Sequence, residues 1–174
     1  MRKAAVVPWV QHPGFGAPFI DGHTRLSCGA RTVVTDATAP GNQVPPDIVA
    51  AYPLVATLAG PVDVSRVPGP GSCKSLFVCL TDFIGAWFEL RSPSAGFGLR
   101  FEWDHSLFPH AWLWHECHAT PGYPWHSKAY VIGVEPANLL PGEPSPHRLD
   151  RGSAPALPAG EVWTSNITIR RISA

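Results

Sequence analysis

Apolar residues along this chain gather in short runs that proline and glycine keep interrupting, and one of these runs shows a clear period of two. That run is 162–169, where Ile167 and Ile169 alternate with Asn166, Thr168 and Arg170. Alternation of this kind sends successive side chains to opposite faces of a strand and predicts that one face is buried. The other runs predict strands over residues 5–10, 31–35, 76–80, 84–90, 98–103, 110–114 and 129–134. Twenty prolines and sixteen glycines among 174 residues leave almost no window long enough for a stable amphipathic helix. The pattern therefore predicts an all-β fold, a β-sandwich. Two intervals rich in Pro, Gly and polar residues, 37–71 and 141–160, read as long connections rather than linkers, because neither separates two self-sufficient blocks of core. The chain is expected to form one domain over residues 1–174.

A chain of this length hides about 70% of its unfolded surface, enough for a sizeable core. Thirteen basic and thirteen acidic residues cancel without any Lys/Arg cluster, which argues against nucleic acid or an anionic membrane as partner and favours a neutral ligand. No stretch approaches the length of a membrane span. Only a few small apolar residues precede Trp9, too short a run for a signal-peptide core, so a cytoplasmic location is expected. Cys28, Cys73, Cys79 and Cys117 lack Cys-x-x-Cys spacing and are expected to be reduced and mostly structural.

Against this neutral background, Glu135 stands out at the end of the run Tyr130-Val-Ile-Gly-Val-Glu135. A carboxylate closing an apolar strand costs solvation unless something compensates it. One compensation is a salt bridge to Arg25, Arg91 or Arg100; another is a pocket that uses the carboxylate. His12, in Trp9-Val-Gln-His12-Pro-Gly-Phe15, is a candidate companion. A histidine and a glutamate across one pocket form an acid/base pair that works near neutral pH. His12 could equally cap backbone groups in its Pro-Gly turn. A second group, His110, Glu116 and His118 with Trp112 and Trp114, shares one face of an extended strand and raises a metal-site alternative, although no His-Glu-x-x-His spacing is present. The tryptophans read as core or pocket wall, with Trp125 the best placed to stack on a sugar.

In order and separation, His12-Pro-Gly-Phe15 and Gly133-Val-Glu135-Pro resemble the paired motifs of the galactose mutarotase-like superfamily, the aldose 1-epimerases and their relatives. The segments Phe108-Pro-His-Ala-Trp-Leu-Trp114, Pro121-Gly-Tyr-Pro-Trp125, Glu135-Pro-Ala-Asn138 and Leu157-Pro-Ala-Gly-Glu161 look like that family's uncharacterised bacterial branch. The resemblance runs from about Trp9 to the C-terminus. It implies that the chain corresponds to the C-terminal part of the family's large β-sandwich. It also implies an isomerase that interconverts the anomers of a monosaccharide, with Glu135 as base, His12 as acid, Gln11, Phe15 and Trp125 contacting the sugar, and no metal or organic cofactor. A partial sandwich of this kind is expected to self-associate or to join a separately encoded N-terminal half. The alternatives are a non-catalytic carbohydrate-binding module and a metal-dependent sugar isomerase or lyase built on the region around His115.

Overall fold

The computed structural model describes residues 3–36, 41–142 and 154–174. The described residues are all-β, in antiparallel pairs. The strands are β1 (Ala5–Val6), β2 (Gly14–Gly16), β3 (Arg25–Thr35), β4 (Val49–Ala51), β5 (Leu54–Val55), β6 (Val62–Asp63), β7 (Lys74–Ser92), β8 (Phe97–Trp103), β9 (His110–Cys117), β10 (Tyr130–Ala137), β11 (Ala156–Leu157) and β12 (Ile167–Ile172). Eight of them form one sheet, in the order β12-β8-β7-β9-β10-β2 with β3 and β4 attached through β7; β1-β11 and β5-β6 are two-stranded pairs.

The long strand β7 organises this sheet. Its first half, Lys74 to Leu80, pairs with β9, and its last residues, Trp87 to Ser92, pair with β8. On its other side β3 follows it for most of its length, with a register shift between Cys28 and Ala30. At that shift the two backbones come together at Gly29 and Gly85, where a Cβ on Gly29 would collide with the Gly85 carbonyl. Asp82 takes up the local turn with a φ of 56°. The sheet curls there, so that Phe15 of β2 packs edge-on against Phe88 and Phe101, at ring separations of 6.0 and 5.4 Å. Phe88 and Phe101 stack at 4.6 Å. The core lies inside this curl, where Leu76, Val78, Leu80, Leu113, Ile132 and Val134 join the aromatic group. Each such side chain contributes about 1.5–3 kcal/mol on burial.

Several expectations are corrected. The runs 76–80 and 84–90 are one strand, because β7 bends without breaking. Strand β12 begins at Ile167, and Ile169 is 58% exposed. β12 is an edge strand, paired among the described residues with β8 alone, so alternation there marks a strand without marking a covered face. The interval 37–71 holds β4, β5 and β6, while residues 37–40 lie outside the described residues. Part of the interval 141–160 lies outside them too, but its Ala156–Leu157 pairs with Ala5–Val6. The strand foreseen over 5–10 reduces to that pair and a bridge from Val10 to Ala137. The four cysteines are free.

Candidate active site

In the β9-β10 register Glu135 lies opposite Trp112, Gly133 opposite Trp114 and Val131 opposite Glu116. Residues opposite one another in an antiparallel pair share a face. β7 extends that face with Cys79, Phe77 and Ser75. The intervening residues, Ile132, Val134, Ala111 and Leu113, face the core and are fully buried. The apolar run before Glu135 is thus the buried row of β10 together with its neighbours, and the carboxylate belongs to the opposite row.

His12 reaches Glu135 because the chain on both sides of it is fastened to β10. Ahead of it, the Asn138 side chain accepts from the Trp9 amide (2.9 Å) and donates to the Val7 carbonyl (2.9 Å). The Asn138 amide donates to the Trp9 carbonyl, and the Gln11 amide to the Pro136 carbonyl. Beyond it, β2 pairs with Val131 to Gly133. Between these anchors His12 Nδ1 donates to Glu135 Oε1 at 2.6 Å, with the His12 side chain 64% exposed and that of Glu135 6%. A hydrogen bond this short to an ionised partner is charge-assisted. Burial pushes the Glu135 carboxyl above the ordinary carboxylate value, and the charge and hydrogen bond of His12 pull it only part of the way back. The carboxylate folds back over Gly133, where any Cβ would strike it. The salt-bridge alternative is not realised: Arg91 and Arg100 bind Glu89, and Arg25 donates to the carbonyls of Gly22 and Thr24.

Trp114 carries this pair toward an aromatic hollow. Its ring lies 6.1 Å from that of His12 and 5.2 Å from that of Trp125. The hollow, about 340 Å³, is lined by Phe77, Trp114, Trp125, Tyr123, Thr120 and Glu116, among others. Glu116 shapes it by accepting from the Ala119 and Thr120 amides and from the Thr120 hydroxyl. Residues 118–128 are closed by their own backbone hydrogen bonds, and His118, His126 and Ser127 hold positive φ. Non-glycine residues in that region are strained and persist only where their surroundings fix them. Trp125 is held over Trp114 by that loop.

The predicted residues therefore separate. His12, Glu135 and Trp125 lie on or beside the outward face of β9 and β10, whereas Gln11 is tied to β10 through its backbone amide, opposite Pro136 on the alternate row. Phe15, at 7% exposure, turns into the core against Phe88 and Phe101, because it alternates with the outward-facing Gly14 and Gly16. The suggested metal cluster is dispersed. His110 bonds Thr81, Glu116 caps the following loop, and His118 bonds the Ser127 carbonyl and stacks on Tyr130. Among the described residues no three His, Cys, Asp or Glu side chains gather as metal ligands would. Trp114, read from the sequence as core or pocket wall, lines the hollow. Sequence reasoning missed the roles of Asn138 and Gly133, which left no local signal.

No family model and no curated protein matches the sequence. Solved structures do match the fold. The Slr1438 protein from Synechocystis sp. PCC 6803 superposes with a TM-score of 0.62 at 10% identity, over 99% of this chain and 47% of its own. A candidate aldose 1-epimerase from Klebsiella pneumoniae gives 0.61 at 14% identity, over 99% of this chain and 39% of its own. Another, from Escherichia coli K12, gives 0.61 at 18% identity, over 97% and 52%. The fold is thus an aldose 1-epimerase-like β-sandwich, and the chain spans about half, or less, of the length of the structures it matches. Among the described residues no helix is long and apolar enough to cross a membrane.

Proposed function

We propose that this chain carries the acid/base pair of an aldose 1-epimerase-like isomerase acting on the anomeric centre of a sugar. The observation that carries this reading is the 2.6 Å contact between an exposed His12 and a buried Glu135 whose proton affinity is raised, set beside an aromatic hollow. Glu135 takes the proton from the anomeric hydroxyl while protonated His12, through Nε2, gives one to the ring oxygen. The bond between C1 and the ring oxygen breaks as the C1 carbonyl forms. Rotation about C1–C2 and reversal of both proton transfers close the ring as the other anomer and restore both residues. Each positioned transfer contributes about 10²–10⁴-fold. The aromatic faces of Trp114 and Trp125 suit the apolar face of a sugar ring.

Two-dimensional exchange NMR on a panel of aldoses tests the reading directly. Anomer exchange above the spontaneous rate, unchanged by added chelator, is expected. Sugar binding without faster exchange would leave a carbohydrate-binding module, and chelator-sensitive exchange would point to a metal-dependent isomerase.

A further inference from the structure

The reverse side of the same strands holds a second hollow, of about 300 Å³, between the inward face of β7 and β9 and residues 61–68. His115 lines it from β9, opposite Leu76 on one side and Ile132 on the other. This imidazole is only 1% exposed, and its Nδ1 has no hydrogen-bond partner. Its companions on the inward row of β9, Ala111, Leu113 and Cys117, are fully buried and need no polar partner. An apolar residue would suit that row, whereas a buried polar atom without a partner is costly. Burial holds His115 down to about 4, so the ring is neutral at pH 7 and one of its nitrogens donates.

The remaining polar lining is rich in cationic donors. Arg66 and Lys74 border the hollow with Gln43 and Asp63. The Asp63 carboxylate is already engaged, by Arg66 Nε at 3.0 Å and by the amide and hydroxyl of Ser65. Lys74 opens β7 and is exposed. We infer that this hollow binds a small oxyanion, a phosphate or a carboxylate, with His115 donating from its floor, Lys74 supplying the net charge at its mouth and Arg66, whose charge Asp63 offsets, offering its terminal guanidinium nitrogens. Leu76, Val62 and the prolines beside them give the body of such a ligand an apolar wall. The site is separate from the His12–Glu135 pair, on the other face of the sheet, and does not depend on the sugar chemistry proposed there.

The test is titration of the intact chain with inorganic phosphate and, separately, with propionate, at constant ionic strength with chloride as control. The readouts are the His115 ring resonances in ¹H–¹⁵N spectra and the melting temperature. A saturable shift of those resonances with a rise in melting temperature is expected. Lys74→Glu, at an exposed position that leaves the fold intact, should weaken the response about tenfold or more. His115→Leu should fold and lose the ligand-dependent rise. A response to phosphate alone identifies a phosphoryl ligand, and a response to propionate alone a carboxylate. No response to either, or a response that survives both variants, overturns the inference and leaves the hollow to water.

Discussion

Glu135 and Glu89 are both largely buried carboxylates on outward rows of the same sheet, and their surroundings give them opposite character. Glu89 sits on the distal half of β7, where Arg100 reaches one oxygen at 2.8 Å and Arg91 the other at 2.7 Å. Arg100 lies over the Trp87 ring at 4.4 Å and also contacts Glu102, which Arg170 approaches from β12. Burial alone would raise Glu89, but the hydrogen bonds from Arg100 and Arg91 outweigh it and hold the carboxyl below its ordinary value. Glu135 has His12 in place of two guanidiniums, and its carboxyl stays raised. Permanent countercharge turns a buried carboxylate into a structural strut. A titratable partner leaves it able to take and return a proton.

The largest effect that would break this contrast is on turnover. Glu135→Gln keeps the shape of the side chain and removes the proposed base, so anomer exchange should fall by about 10²–10⁴-fold, and His12→Asn should do the same through the proposed acid. NMR exchange rates at matched folding, verified by circular dichroism, provide the check; a rate within a few-fold of the parent in both variants would end the assignment. In the parent, activity should be lost on acidification as Glu135 protonates, with the midpoint above the 4.5 of an ordinary glutamate, because burial raises it. A midpoint at or below that value would show that Glu135 is held ionised, as Glu89 is.

Gly133→Ala should act next most strongly. The backbone there needs no positive φ, so the fold should survive, but the new methyl would occupy the space of the Glu135 carboxylate. Displacing a catalytic group by about 1 Å can cost up to about a hundredfold in rate. The expected loss is in kcat more than KM. A wild-type rate in this variant would mean that the position of Glu135 over Gly133 is irrelevant to catalysis.

The smallest effects are on stability, and they should have opposite signs. Glu89 is depressed in the folded state, so its contribution is present above its unfolded value and is lost as pH falls through the folded one. Glu89→Gln should therefore cost about 1 kcal/mol at neutral pH, visible in urea denaturation, and leave exchange activity unchanged. Glu135 is raised, so its contribution is present below its unfolded value and is lost as pH rises through the folded one. At pH 8 the ionised carboxylate is a net burden, and Glu135→Gln should raise the melting temperature while removing activity. Destabilisation of similar size by both substitutions would erase the distinction between the two regions.

How much of this was legible differs from element to element. Glu135 could be singled out because a charge closing an apolar run is visible in one dimension. The shared face of Trp112, Trp114 and Glu116 followed from strand alternation alone. Phe15 was misplaced because a motif says which residues are near one another in the chain without saying which way each one points. Ile169 was misjudged for a related reason, since period two describes a strand and whether anything covers it depends on neighbours elsewhere. The Asn138 clamp was unreadable, because an asparagine after a strand has many local uses and its partners, Val7 and Trp9, lie at the other end of the chain.

By itself the sequence determined the all-β class, the absence of room for long helices, and the rows of β9 and β10, because these depend on backbone propensity and on periodicities that repeat within a few residues. Only the tertiary structure decided that β7 bends without ending and that the curled sheet brings Phe15 onto Phe88 and Phe101. It also decided that Glu89 meets two arginines, and it chose His12 over Arg25, Arg91 or Arg100 as the partner of Glu135. The physical reason is that a carboxylate's proton affinity is set by burial and by charges within a few ångströms. In a sheet joined from strands far apart in sequence, those neighbours are chosen by register and curvature, which local pattern does not encode.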